Sequence, residues 1–351
     1  MTKLIQTIVD GLGVGSTYAL LALGISLIFG VMHLVNFAHG ELITVGAYAS
    51  YFFFLHGGSW WWMPFVIIGS AVLASVATEL VAFRWVRNAS PFTLLLTSFA
   101  LERLSHALWQ IFVSPKQRAF PKPAWVFNQF KVAGVSFEVM DVVTIAVTAA
   151  TLALTAVVFK RTLFGISVRG AAEDFDAARL MGVRANRVIS GAFAFAGLLA
   201  GVAACLILMR SPAAEPSMGS DWLLKAVIAA VIGGLGSFTG AVVGGLVLGL
   251  LETLTRAYLP ELAVGWDKFS TAVVFVLIAV FFVIGVNAGL LRLTRSTLAS
   301  AALVAIVAAL AMAYTSGGGA SRDSLIAEML SNFILVLGMQ VFIGNTGVLS
   351  F

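Results

Sequence analysis

Three ionisable residues, Glu102, Arg103 and His106, stand inside an apolar run at residues 92–113. Charge at membrane depth is expensive, and such residues mark proton relays or solute paths unless they neutralise one another locally. Glu102 and His106 are four residues apart and share a helix face, with Arg103 about 100° away. Two readings stand: a proton-coupling cluster, or a Glu–Arg or Glu–His pair satisfied where it lies. A second constellation, Asn36-Phe37-Ala38-His39-Gly40-Glu41, interrupts an apolar stretch that resumes at once. Its polar row, with Gly40 to relax the backbone, fits a broken helix whose freed peptide groups line a solute path. It equally fits a short cytoplasmic turn between two spans, and a turn that re-enters the protein beside the path combines both. The sequence holds no phosphate-binding GxxxxGK[ST], no HExxH and no GxSxG. Its four histidines and lone Cys205 show no metal-ligand spacing. No enzyme activity and no cofactor of the chain's own are expected; energy must come from an ion gradient or a partner.

The elements that hold these residues are membrane spans. Of 351 residues 60% are hydrophobic and 11% charged, against about 25% charged in soluble domains. The net charge of +5 reads as Lys and Arg kept in cytoplasmic loops, not as a nucleic-acid footprint. Spans are expected near 8–30, 36–55, 62–83, 92–113, 141–159, 188–209, 268–286, 297–314 and 325–343. The first is too long for a signal-peptide core and lacks an A-x-A site. Residues 222–256 as one helix would run about 52 Å, against a hydrocarbon core of about 30 Å. The run is punctuated by Gly233-Gly234-Leu235-Gly236-Ser237. Two segments, near 222–232 and 239–256, therefore meet at a glycine-rich break, a re-entrant hairpin of the kind tolerated where backbone lines a cavity.

Charge orients the spans. Arg84 and Arg87, the six basic residues of 160–187, and Arg292 and Arg295 mark three loops. If all are cytoplasmic, two spans must separate each pair, which holds only if 222–256 enters and leaves on one side. The N-terminus is then outside, and 114–140, with its prolines and Trp125, is an external loop. An internal repeat aligns Ser16, Gly24, Gly30 and Phe37 with Ser331, Gly338, Gly344 and Phe351, with equal spacing from each glycine onward. It marks the opening of a second, parallel half.

The basic loop reads GISVRGAAEDFDAARLMGVRANRVI over 165–189. Residues from Ala171 to Met181 favour a helix, which Gly182 ends. The result is a short helix across the cytoplasmic mouth, with Phe175, Leu180 and Met181 as apolar anchors. A solvated loop needs neither a helix nor anchors, so docking into a groove of a soluble partner is the favoured reading. Glycine pairs at 197/201, 240/244 and 245/249 fit close helix packing within the chain.

Together GVMHLVNFAHGELITVGAYAS, GISVRGAAEDFDAARLMGV and AVIAAVIGGLGSFTGAVVGGLVLGLLETL resemble the permease subunit of bacterial branched-chain amino acid (Liv-type) ABC importers, over about residues 8–290. The tail LSNFILVLGMQVFIGNTGVLSF looks like the start of the second permease of such transporters, so residues 291–351 resemble the opening of an incomplete second permease domain after a first at 1–290. Glu102, Arg103, Asn345 and Val348 depart from the family's usual residues. The resemblance implies an all-α, polytopic inner-membrane bundle with broken or re-entrant helices. It also implies ATP bound by partner ATPase subunits, a second permease half, a periplasmic solute-binding protein and surrounding lipid, with no nucleic acid. Arg169, Ala171, Ala172, Glu173, Asp174, Arg179, Gly182 and Arg187 then fall in the segment that couples to the ATPase. Asn36, Phe37, His39, Gly40, Glu41, Gly233, Gly234, Gly236 and Ser237 fall in pathway regions. Branched-chain amino acids, urea and short amides are the candidate solutes; a self-contained ion-coupled transporter or channel working through Glu102, Arg103 and His106 is the alternative.

Overall fold

The computed structural model describes residues 2–262 apart from positions 33, 88, 90, 122, 133, 134 and 174. The spans expected at 268–286, 297–314 and 325–343, the repeat near the end and the 291–351 domain lie outside the described residues.

Helix α1 is Thr2–Met32, followed by a 3-10 turn at Phe37–His39 and α2 at Glu41–Leu55. Helix α3, Met63–Thr78, continues through a π-turn, Glu79–Phe83, into a last turn at Arg84–Val86. Then come α4 (Pro91–Phe112), α5 (Val139–Arg161), α6 (Leu163–Glu173), α7 (Phe175–Leu180) and α8 (Ala185–Arg210). The described part ends with α9 (Met218–Gly233) and α10 (Phe238–Leu262). Among the described residues five helices are long and apolar enough to cross a membrane.

Burial sorts these helices into interior and rim. The most apolar window of α1 is 94% buried and that of α8 is 83% buried, whereas those of α3 and α5 are each 22% buried. A helix apolar all round belongs inside the bundle, while lipid accepts apolar side chains on an outer face as readily as protein does. Close backbone approach therefore holds the bundle. The glycine pairs pack within the chain: Gly245 and Gly249 of α10 meet Ala19 and Gly15 of α1, Gly240 and Gly244 meet α9, and Gly197 and Gly201 of α8 meet α3.

Side-chain contacts fix the two ends. Arg87 after α3 donates to Asn186 at 2.6 Å, so the basic loops at 84–87 and 160–187 share one end, called the inner end for its positive charge. At the other end β1 (Arg118–Ala119), in the loop after α4, pairs antiparallel with β4 (Ala213–Ala214), which follows α8. A hairpin of β2 (Gln129–Val132) and β3 (Val135–Glu138) completes that outer loop. At the inner end Leu27, Ile28 and Val31 of α1 form one apolar cluster with Phe83, Phe159, Val168, Ala171, Ala178, Ile189 and Phe193.

Candidate functional site

At the first break the chain leaves α1 at Met32 and starts again with the 3-10 turn. Asn36 caps that turn: its side-chain oxygen accepts from the Ala38 amide at 3.0 Å. This is the Asn role expected where a backbone donor lacks a helical partner. Asn36, Phe37, His39 and Glu41 are between 1% and 4% exposed, so the segment is no surface turn. The break lies inside the bundle. Gly40 crosses Gly219 of α9 so closely that a Cβ on either would strike the other's carbonyl, and the Gly219 amide donates to Thr44 Oγ1 at 3.1 Å. The His39 imidazole lies against Gly24 of α1, and neither of its ring nitrogens has a hydrogen-bond partner among the described residues.

Glu41 joins this break to α4. Ser105 donates to Glu41 Oε2 at 2.9 Å, Ser220 of α9 donates to Glu102 Oε1 at 2.8 Å, and Phe37 stacks on Phe99 at 4.2 Å. Glu102 and Ser105 lie on one face of α4, three residues apart. The expected Glu102–Arg103–His106 cluster is only partly assembled. Arg103 Nε stands 3.0 Å from Glu102 Oε2, with the arginine side chain 58% exposed. His106 is not joined to Glu102: it contacts Gln110 at 3.1 Å. Two buried carboxylates and one guanidinium, held from α2, α4 and α9, replace the expected triad.

The second break stands at the inner end. Gly234 and Gly236 turn there with φ of +89° and +84°, values that disfavour a Cβ. The Gly236 amide donates to Ser26 Oγ of α1 at 2.9 Å. Gly30 lies between Gly236 and Ala172, and Phe238 packs edge-on against Phe159 at 4.9 Å. Helix α9 has 16 residues, about 24 Å, beginning earlier than position 222, and α10 returns beside α1 towards Gly11. The hairpin thus enters and leaves at the outer end, with its tip at the inner end. Gly233 is half-buried, and Gly234, Gly236 and Ser237 are exposed.

In the 165–189 segment the helical residues are α6, already under way from Leu163, and α7, which ends at Leu180 just before Gly182 as expected, with α8 starting at Ala185. Asp174 between α6 and α7 lies outside the described residues. Ala171 is buried in the inner apolar cluster, Ala172 is half-buried, and Arg169, Glu173, Arg179 and Arg187 are exposed. Gly182 follows α7 with φ +89°. Leu180 and Met181 are 89% and 87% exposed. The segment is thus rooted in the bundle through Val168, Ala171 and Ala178 and presents an apolar tip ringed by charge.

Two further polar networks escaped the sequence reading. Buried Glu252 of α10 accepts from Tyr18 at 2.6 Å, Lys225 at 2.8 Å and Arg256 at 2.6 Å, tying α1, α9 and α10 together. Buried Glu79 of the π-turn accepts from Ser190 of α8 at 2.8 Å. Each centres on an isolated charge in an apolar run, a signal that hydropathy alone passes over. At the outer end Arg210 pairs with Asp141 at 2.5 Å beside a cavity of about 260 Å³ lined also by Thr17, Glu215, Asp221 and Trp222.

The described residues form an apolar helical bundle with a broken span, a glycine-tipped hairpin and a charged segment rooted in it, a polytopic membrane protein. Residues 7–284 match the family described as branched-chain amino acid transport system / permease component, and the chain belongs to that family. It is 30% identical over 260 residues to the high-affinity branched-chain amino acid transport system permease protein BraD of Pseudomonas aeruginosa, covering 71% of this chain and 85% of BraD. It is 32% identical over 268 residues to the corresponding protein LivH of Escherichia coli, covering 73% of this chain and 87% of LivH. A shorter stretch of 98 residues is 35% identical to the xylose transport system permease protein XylH of Escherichia coli, covering 26% of this chain. No solved structure matches the chain. Like its relatives it is an ABC importer permease of the bacterial inner membrane, a family that works with ATPase and solute-binding partners.

Proposed function

We propose that this chain forms part of the pathway for branched-chain amino acids and is driven by ATPase subunits docked on residues 163–187. The observation that carries the reading is the inner-face segment, rooted by Val168, Ala171 and Ala178 with Leu180 and Met181 projecting from it. Two neighbouring apolar side chains in water are a docking signal when charge surrounds them. Arg169, Glu173, Arg179 and Arg187 set the register of that dock, and Gly182 lets the chain turn back into α8. The pathway wall includes the Asn36–Glu41 break and the Gly233–Ser237 tip, which shift against α1 when the dock moves. A second permease half completes the pathway, and residues 291–351 begin such a half. A periplasmic binding protein delivers the solute to the outer end.

The solute follows from the relatives' printed substrates and their coverage: BraD and LivH align over most of the chain, XylH over about a quarter. The test is uptake of labelled leucine and of urea into proteoliposomes holding the full chain, the second permease, the ATPases and the binding protein. ATP-dependent leucine uptake is expected. Urea uptake without leucine uptake would overturn the solute, and gradient-driven leucine flux from this chain without ATPase would overturn the mechanism.

A further inference from the structure

Glu79 is used neither by the dock nor by the two breaks, yet it is fully buried and sits on the only π-turn among the described residues. A π-turn inserts one extra residue into a helix, and such turns recur at functional sites. Here the insertion brings a carboxylate against α8. Ser190 donates to its Oε2 at 2.8 Å. Its Oε1 has Arg84 Nε at 3.6 Å and Arg87 Nη2 at 3.7 Å. Both guanidiniums balance the charge, and neither is close enough to hydrogen-bond it. Arg87 also donates to Asn186 of the first turn of α8 at 2.6 Å and, through Nε, to the Arg84 carbonyl at 3.1 Å.

Asn186 stands four residues after Gly182, so the same guanidinium bridges α3 to the stretch where the docking segment becomes α8. Phe83 of the π-turn packs on Phe193 of α8 with ring centres 5.5 Å apart. A buried charge held loosely by two cations and firmly by one hydroxyl has alternative partners within a small movement. The π-turn supplies the slack to reach them.

We infer that Glu79 is a positioning residue: its latch to Ser190, Arg84 and Arg87 carries displacement of the docking segment into α3. The inference rests on the ATP-driven reading above. It requires that breaking the latch separates ATP hydrolysis from solute movement, because the dock stays intact while its link to α3 is lost.

The test reconstitutes the complete importer with wild-type chain, Glu79→Gln, Glu79→Asp or Asn186→Ala, and measures leucine taken up per ATP hydrolysed. For Glu79→Gln the ratio is expected to fall about five- to tenfold, within the usual range of coupling between sites, with hydrolysis retained. Glu79→Asp, which keeps the charge, restores most of the ratio. Asn186→Ala, which buries no orphaned charge, lowers it in the same direction and serves if Glu79→Gln does not accumulate. An unchanged ratio in both Glu79→Gln and Asn186→Ala overturns the latch, as does a proportional loss of hydrolysis and uptake. Wild-type uptake that needs no ATP overturns the underlying reading, a result distinct from an ATP-driven wild type whose variants stay coupled.

Discussion

At Asn36–Glu41 the polar residues are buried, with Glu41 bound by Ser105 of α4 and Gly40 packed on the Gly219 backbone of α9, while at Gly233–Ser237 the chain turns at the inner face, its Gly236 amide bound by one serine of α1. The first break has no positive-φ glycine; Gly40 is at φ −63° and is required for space. The second depends on backbone conformation, with Gly234 and Gly236 both at positive φ. One break is therefore fixed by its neighbours and the other by its own backbone. The difference suits their places: a deep break enclosed by the bundle, and a tip near Ala172 that, on the function proposed above, moves with the dock.

Variants can break that contrast. The largest effect is expected for Gly40→Val, whose side chain would drive into the Gly219 carbonyl and Leu223. It should lower stability by about 3 kcal/mol, the upper range for overpacking, measured by thermal unfolding of the detergent-solubilised chain. Gly69→Val, where a Cβ meets open space, is the control; equal melting of the two would remove the claim of a tight crossing. Next comes Gly234→Ala, for which a Cβ at φ +89° has room but the wrong conformation. A loss of about 2 kcal/mol is expected, because φ +89° with ψ 113° is a conformation that glycine alone adopts readily. If Gly234→Ala melts with the wild type, backbone conformation is not what holds the tip. The smallest of the three is Ser26→Ala, which removes the hydroxyl bound to the Gly236 amide and should cost about 1 kcal/mol. Hydrogen exchange at Gly236 should then rise while exchange at Ala38, capped by Asn36, stays as in the wild type.

Among the described residues the helices and both breaks were legible in the sequence because hydropathy and glycine clustering are local properties. The segments read at 141–159 and 188–209 became α5 and α8 within a few residues. What sequence could not supply was partnership across the chain. Ser105–Glu41, Ser220–Glu102 and Tyr18–Glu252 join residues far apart in the chain, which only packing brings together. Of the two local pairs open to Glu102, the one with Arg103 forms and the one with His106 does not, and Ser220 joins it because α9 lies there. The π-turn at Glu79 leaves no mark in an apolar pattern, since one added residue changes the phase of the helix and not its composition. The inner-face segment was legible as helical and charged, and its early start at Leu163 was not.

Co-purification tests whether Leu180 and Met181 form the dock for the ATPase. The double variant Leu180→Asp, Met181→Asp should change the stability of the solubilised chain by less than about 0.5 kcal/mol, since both side chains are exposed and such surface changes are nearly neutral. ATPase subunits are expected to purify with the wild-type chain and to be lost from the variant at equal membrane abundance. Full retention of the ATPase on the variant would contradict that dock.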